Sequence, residues 1–147
     1  MQIRTILFPT DFSVTTSHTA AFAADLARKY GARVYILHVI YDITRDSLWH
    51  SSRLDTASLY DDVRKSAAEE IDRVASAFFQ EGIEVEKAVE VGLPYEGILS
   101  FADEKDIDMI VIGRHGRKRL GTVIFGSTVQ KVLRRAKCPV LTVRERA

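Results

Sequence analysis

The sequence predicts an α/β fold, a doubly wound parallel sheet of five strands flanked by four helices and built as one domain over residues 1–147. Three observations predict it. Short β-branched runs alternate strictly with long amphipathic segments, which is the signature of βαβ units. Two of those runs, 34–40 and 109–112, are apolar almost throughout, as strands covered on both faces are. At 147 residues, 46% apolar and 28% charged, the chain is long enough for one core and too short for two comfortable ones.

The first strand is expected at about residues 4–9, followed by Thr10-Asp11-Phe12-Ser13, a cluster able to cap a helix. A helix over about 13–30 carries Phe22, Leu26 and Tyr30 at four-residue spacing. Its alanines, Ala20, Ala23, Ala24 and Ala27, form a small-residue face that can lie close against a sheet, and Gly31 stops it as a left-handed cap. Strand two covers 34–40. The polar segment 41–55 has no clear period, and a connection of that length is either a functional lid or disordered. A second helix is expected over 56–81, with Leu59, Val63, Ala67, Ile71, Val74 and Phe78 along one stripe, ended by Gly82.

Strand three, 84–91, alternates Val85, Lys87 and Val89 with Glu86, Ala88 and Glu90, the pattern of an edge. Pro94 opens a helix to about Lys105, an allowed first-turn position. Strand four finishes on Gly113. A basic, glycine-bearing loop leads to a last helix at about 127–135, and Pro139 starts strand five, Val140–Val143. As the last strand it makes an apolar edge, a liability unless covered or paired.

Several function classes are disfavoured. A formal net charge of +1 provides no field towards nucleic acid or an anionic membrane. No stretch approaches the roughly 20 apolar residues of a membrane helix, and the first apolar run is too short and too early for a signal peptide. One cysteine, Cys138, excludes an intramolecular disulfide and fits a reducing compartment, so a cytoplasmic location is expected. Cys138 itself reads as a buried small hydrophobe. His18, His38 and His50 show no metal-ligand spacing with one another or with Cys138, so no metal site is expected. No Ser-His-Asp or paired-carboxylate arrangement is recognisable, so no catalytic residue is assigned.

Ligands of doubly wound sheets bind beyond the carboxyl ends of the strands, where the strand order reverses. The richest such end is Gly113-Arg114-His115-Gly116-Arg117-Lys118-Arg119, continuing to Gly126-Ser127-Thr128. Glycine lets backbone N–H groups approach an anion closely. Gly126-Ser127-Thr128 stands where a helix begins, and free amides at the positive end of the macrodipole suit a phosphate. Taken alone this is also the description of a turn plus a cap. The P-loop pattern fails, because the residue after Gly126 is Ser127 rather than lysine, and no G-x-G-x-x-G follows the first strand. Arg114, Arg117, Lys118 and Arg119 read as solvated loop charges, one or two of which could screen a phosphate chain. No stacking aromatic is interleaved with them, which argues against nucleic acid. His115 could contact a phosphate in the same loop.

The spacing Gly113-x2-Gly116-x9-Gly126-Ser127 resembles the ATP-binding motif G-x2-G-x9-G-[S/T] of the universal stress protein family. Leu7-Phe8-Pro9-Thr10-Asp11-Phe12-Ser13, Leu37-His38-Val39 and Cys138-Pro139-Val140-Leu141 are similar to the family too, in the same order over essentially the whole chain. The resemblance implies a Rossmann-like, adenine nucleotide alpha hydrolase-like sheet of strand order 3-2-1-4-5, with ATP as ligand, with or without Mg²⁺. It places Asp11 on the ribose hydroxyls, Pro9, Val39 and Ile112 around the adenine, and Gly113, Gly116, Gly126, Ser127 and Thr128 on the phosphates. Thr10 and Arg114 belong to the same set. Read from the residues alone, Asp11 is equally a helix cap or a turn residue.

The resemblance further implies a homodimer formed by antiparallel pairing of Val140–Val143 with its copy, and a nucleotide-dependent regulator of stress response that signals to a protein partner. Residues 41–55 would be a lid ordered by nucleotide. Two other functions fit the same fold: a slow ATP hydrolase or adenylyl-transferring enzyme, and an ATP-independent adaptor whose glycine loop is vestigial.

Overall fold

The computed structural model describes residues 1–42, 44, 56–80, 82–114 and 126–145. Nine elements follow in strict alternation: β1 (Thr5–Pro9), α1 (Thr16–Tyr30), β2 (Arg33–Tyr41), α2 (Thr56–Phe78), β3 (Val85–Gly92), α3 (Pro94–Glu104), β4 (Met109–Gly113), α4 (Ser127–Arg135) and β5 (Val140–Val143). All strands are parallel, in the order β3-β2-β1-β4-β5, the order expected. β3 and β5 are the edges.

Side chains alternate across the sheet because the strand period is two. One face holds Ile6, Phe8, Val34, Ile36 and Val111 beneath the alanines of α1 and Ile71 and Ala75 of α2. The other holds Leu7, Leu37, Val39, Ile110 and Ile112 beneath Ile98 and Phe101 of α3 and Val129 and Val132 of α4. Ile6, Leu7, Ile36 and Ile110 are wholly buried, each contributing about 1.5–3 kcal/mol of hydrophobic stabilisation. At the amino edge the Asp108 carboxylate accepts from the backbone N–H groups of Arg4 (2.8 Å) and Thr5 (3.0 Å). This ties the start of β4 to that of β1 and sets the register Leu7↔Ile110.

The alanine face of α1 lies on the sheet as expected: Ala20 and Ala23 are wholly buried, whereas Phe22 is 43% and Tyr30 52% exposed. A helix can approach a sheet closely only where its side chains are short. Two expectations need correction. The cluster Thr10–Ser13 does not cap α1. The helix begins at Thr16 with no side-chain cap, and Asp11 Oδ1 instead accepts from Ser13 N–H at 3.0 Å, forming a turn. Cys138 is half-buried rather than buried, and desolvation pushes its thiol up from the usual value. The left-handed cap is present, with Gly31 at φ 64°.

Candidate functional site

β1 lies between β2 and β4, so the chain turns one way from β1 to β2 and crosses to the other side on reaching β4. A cleft of about 600 Å³ opens at this switch point, on the carboxyl edge of the sheet. Pro9, Thr10 and Asp11 enter it from the end of β1, His38, Val39 and Tyr41 from β2, and Ile112 and Gly113 from β4. Three helix beginnings supply the rest: Thr15, Thr16 and Thr19 of α1, Pro94 and Ile98 of α3, and Ser127, Thr128 and Val129 of α4. The arrangement follows from topology, since every crossover helix of a parallel sheet starts at that edge.

One wall is hydroxylic. Thr10, Thr15, Thr16 and Thr19 are all buried. Thr10 Oγ1 and Thr16 Oγ1 share a hydrogen bond (3.0 Å), Ser13 Oγ and Thr15 Oγ1 another (3.0 Å), and Thr19 Oγ1–H donates to Thr15 O (3.0 Å). Gly113 faces this wall without a side chain between. The opposite wall is apolar, with Val39, Ile98, Ile112 and Val129, and suits a flat, weakly polar ring.

The turn carrying Asp11 is held by β2. Thr10 N–H donates to Leu37 O (2.9 Å), prolonging the β1–β2 ladder by one residue. His38 Nδ1 lies 2.8 Å from Thr10 O, and because a carbonyl can only accept, Nδ1 carries the proton. Phe12 has φ 58°, a left-handed conformation unusual for a bulky residue. Its N–H donates to Thr10 Oγ1 (3.1 Å) and its ring lies 4.5 Å from that of His38.

At the other end no side chain caps α4. Gly126 N–H donates to Arg114 O (3.1 Å), and Arg114 N–H to Val143 O (2.9 Å), so the two ends of the segment after β4 meet beside β5. The positive pole of the α4 dipole, with the Ser127 and Thr128 hydroxyls, thus faces the cleft.

Of the residues predicted from sequence, Pro9, Thr10, Asp11, Val39, Ile112, Gly113, Gly126, Ser127 and Thr128 line this one cleft. Arg114 does not line it; its backbone closes the loop ends instead. Gly116, His115 and Arg117 to Arg119 lie outside the described residues, as do residues 43 and 45–55 of the expected lid. Sequence reasoning missed His38 and the threonines of α1. Three threonines in the five-residue stretch 15–19 were the available signal. Among the described residues no group of three or more His, Cys, Asp or Glu is placed to hold a metal, and no helix is long and apolar enough to cross a membrane.

Comparison with known proteins gives concordant matches. The profile of the universal stress protein family covers residues 2–144. A Thermus aquaticus universal stress protein is 34% identical over 143 residues, covering 96% of this chain and 98% of the relative. The solved structure of the Methanocaldococcus jannaschii protein MJ0577 superposes with a TM-score of 0.87 at 25% identity, covering 100% of this chain and 99% of that one. An Archaeoglobus fulgidus universal stress protein, solved in complex with dAMP, superposes at 0.68 with 28% identity, covering 97% and 98% of the two chains.

Proposed function

The chain belongs to the universal stress protein family, and from that membership we propose that it binds ATP in the cleft between β1 and β4 and acts as a nucleotide-dependent regulator of stress response. The observation that carries this reading is the convergence, on one cleft, of the uncapped start of α4, the end of β4 at Gly113 and the Asp11 turn. The dAMP complex of the Archaeoglobus relative supports an adenine nucleotide as ligand class.

In this reading the adenine lies against Val39, Ile112 and Pro9, and Asp11 accepts from the ribose hydroxyls. Gly113, Gly126, Ser127 and Thr128 meet the phosphates. Gly126 N–H already donates to Arg114 O, so the next amides of the first α4 turn are the ones best placed for phosphate oxygens. Mg²⁺, where it accompanies ATP, would neutralise phosphate charge, and among the described residues no cluster of His, Cys, Asp or Glu is placed to hold it. Asp11 is the one carboxylate among the described lining residues and is engaged by Ser13 N–H, which favours binding over turnover.

Regulation follows as a population shift: ATP favours one arrangement of the segments around the cleft, and a protein partner reads the changed surface. The protein works in the cytoplasm as a homodimer paired through β5. Chromatography of nucleotide released by denaturing freshly purified protein tests the ligand. ATP is the expected species; protein that purifies empty and gives no heat on titration with ATP contradicts the reading.

A further inference from the structure

We propose that His38 is the positioning residue for sugar recognition, fixing Asp11 so that the cleft prefers a ribose to a deoxygenated sugar. This deepens the nucleotide-binding reading and rests on it. Asp11 stands between two residues that both lean on His38. On one side His38 Nδ1–H donates to Thr10 O, the carbonyl of the peptide that leads into Asp11, at 2.8 Å. On the other the Phe12 ring packs on the imidazole at 4.5 Å and 34°.

The turn has reason to need such a hold. Phe12 is left-handed at φ 58°, a state its side chain disfavours, so contacts outside the turn must select it. Inside the turn Asp11 Oδ1 takes Ser13 N–H and Thr10 Oγ1 takes Phe12 N–H, which shape it without fixing where it sits on the sheet. Thr10 N–H to Leu37 O fixes the end of β1, one peptide short of Asp11. His38 acts beyond that point, and it lines the same cleft. A carboxylate accepting from two vicinal hydroxyls discriminates only while its position is held to a few tenths of an ångström, because hydrogen bonds weaken steeply with distance and angle.

The test compares dissociation constants for ATP and 2′,3′-dideoxy-ATP by calorimetry in wild type, His38→Leu and His38→Asn. Wild type should prefer ATP by about tenfold or more, the worth of charge-assisted bonds to the hydroxyls. His38→Leu should bring the two constants together by weakening ATP while the dideoxy compound holds. His38→Asn, whose amide N–H reaches the place of Nδ1–H, should keep most of the preference. A preference in His38→Leu equal to wild type overturns the proposal, as does a wild type that binds both nucleotides equally. A wild type that binds neither overturns the nucleotide reading itself, and this proposal with it. If His38→Leu fails to fold, ¹⁵N spectra of the wild-type imidazole decide: the neutral ring must be the Nδ1–H tautomer, and an Nε2–H tautomer overturns the assignment.

Discussion

A Cβ placed on Gly113 would stand 2.9 Å from Thr15 Oγ1 and 3.1 Å from Thr19 Oγ1. The end of β4 and the first turn of α1 are therefore in contact through a position that has no side chain. The glycine serves close approach, which brings the α1 hydroxyls and the α4 start to opposite sides of one cleft.

Gly113→Ala should thus force α1 outward, costing about 1–3 kcal/mol as overpacking does, and lower Tm by roughly 2–4 °C per kcal/mol. Thr15→Ala removes the nearer obstacle, so in the double variant the alanine should cost less, with a coupling of about 0.5–3 kcal/mol. Thermal unfolding of the four proteins checks this; strictly additive losses would show that the contact is not the cause.

Gly97 in α3 gives a contest between two effects. In a helix interior alanine is normally better than glycine by about 1 kcal/mol. Here its Cβ would lie 2.8 Å from Val39 Cγ2 and 3.1 Å from Val39 Cγ1, and a β-branched side chain has little room to turn away. The clash should win, making Gly97→Ala destabilising by about 1–3 kcal/mol. In a Val39→Ala background the same change should become stabilising, a reversal of sign that denaturant unfolding can read.

Two carboxylates should respond to pH in opposite directions. The Arg4 backbone N–H, then the N–H and hydroxyl of Thr5, hold Asp108 below the usual carboxylate range. Its contribution is complete above the ordinary aspartate pKa and is lost as pH falls through the lowered one. Burial, reinforced by Glu104, pushes Glu90 up, although Arg64 pulls the other way. Its contribution is present below the ordinary glutamate pKa and lost as pH rises through the raised one. At neutral pH Asp108→Asn should therefore cost about 1 kcal/mol, whereas Glu90→Gln should gain a few tenths, the gain being small because the group is half-exposed. Both differences should shrink on acidification, as seen in urea midpoints between pH 3 and 7.

The proposed dimer can be tested without disturbing the sheet. The carbonyls of Pro139 and Val143 accept from Ile110 N–H of β4 and from Arg114 N–H just past it, so by the two-residue period Val140 and Thr142 turn their N–H and C=O groups outward. Thr142→Pro removes an outward donor at a position an edge strand tolerates. Light scattering should give a dimer mass for wild type and a monomer for Thr142→Pro. A wild-type monomer would contradict the dimer.

The order of elements, both edges and the starts of α3 and α4 were legible in the sequence because alternation, Pro94 and the glycine punctuation are local signals, whereas the strand order 3-2-1-4-5 came from the family resemblance. Contacts created by register were not. Thr10 and His38 meet because Pro9 pairs with Leu37 across parallel strands, and a search for metal spacing among the histidines could not reveal a bond to a carbonyl. The alanine face of α1 was legible as well. Phe22 and Tyr30 carry the helical period, but the depth at which a helix sits is set by its shortest face, here the alanines above Phe8 and Ile36.

In the proposed complex, nucleotide phosphates are gripped by backbone amides at the mouth of β4 and the start of α4. Titrating ¹⁵N-labelled protein with ATP tests it most directly. The amide resonances of Gly113, Ser127, Thr128 and Val129 should shift and saturate together. ATP at saturation leaving those four resonances in place would contradict it.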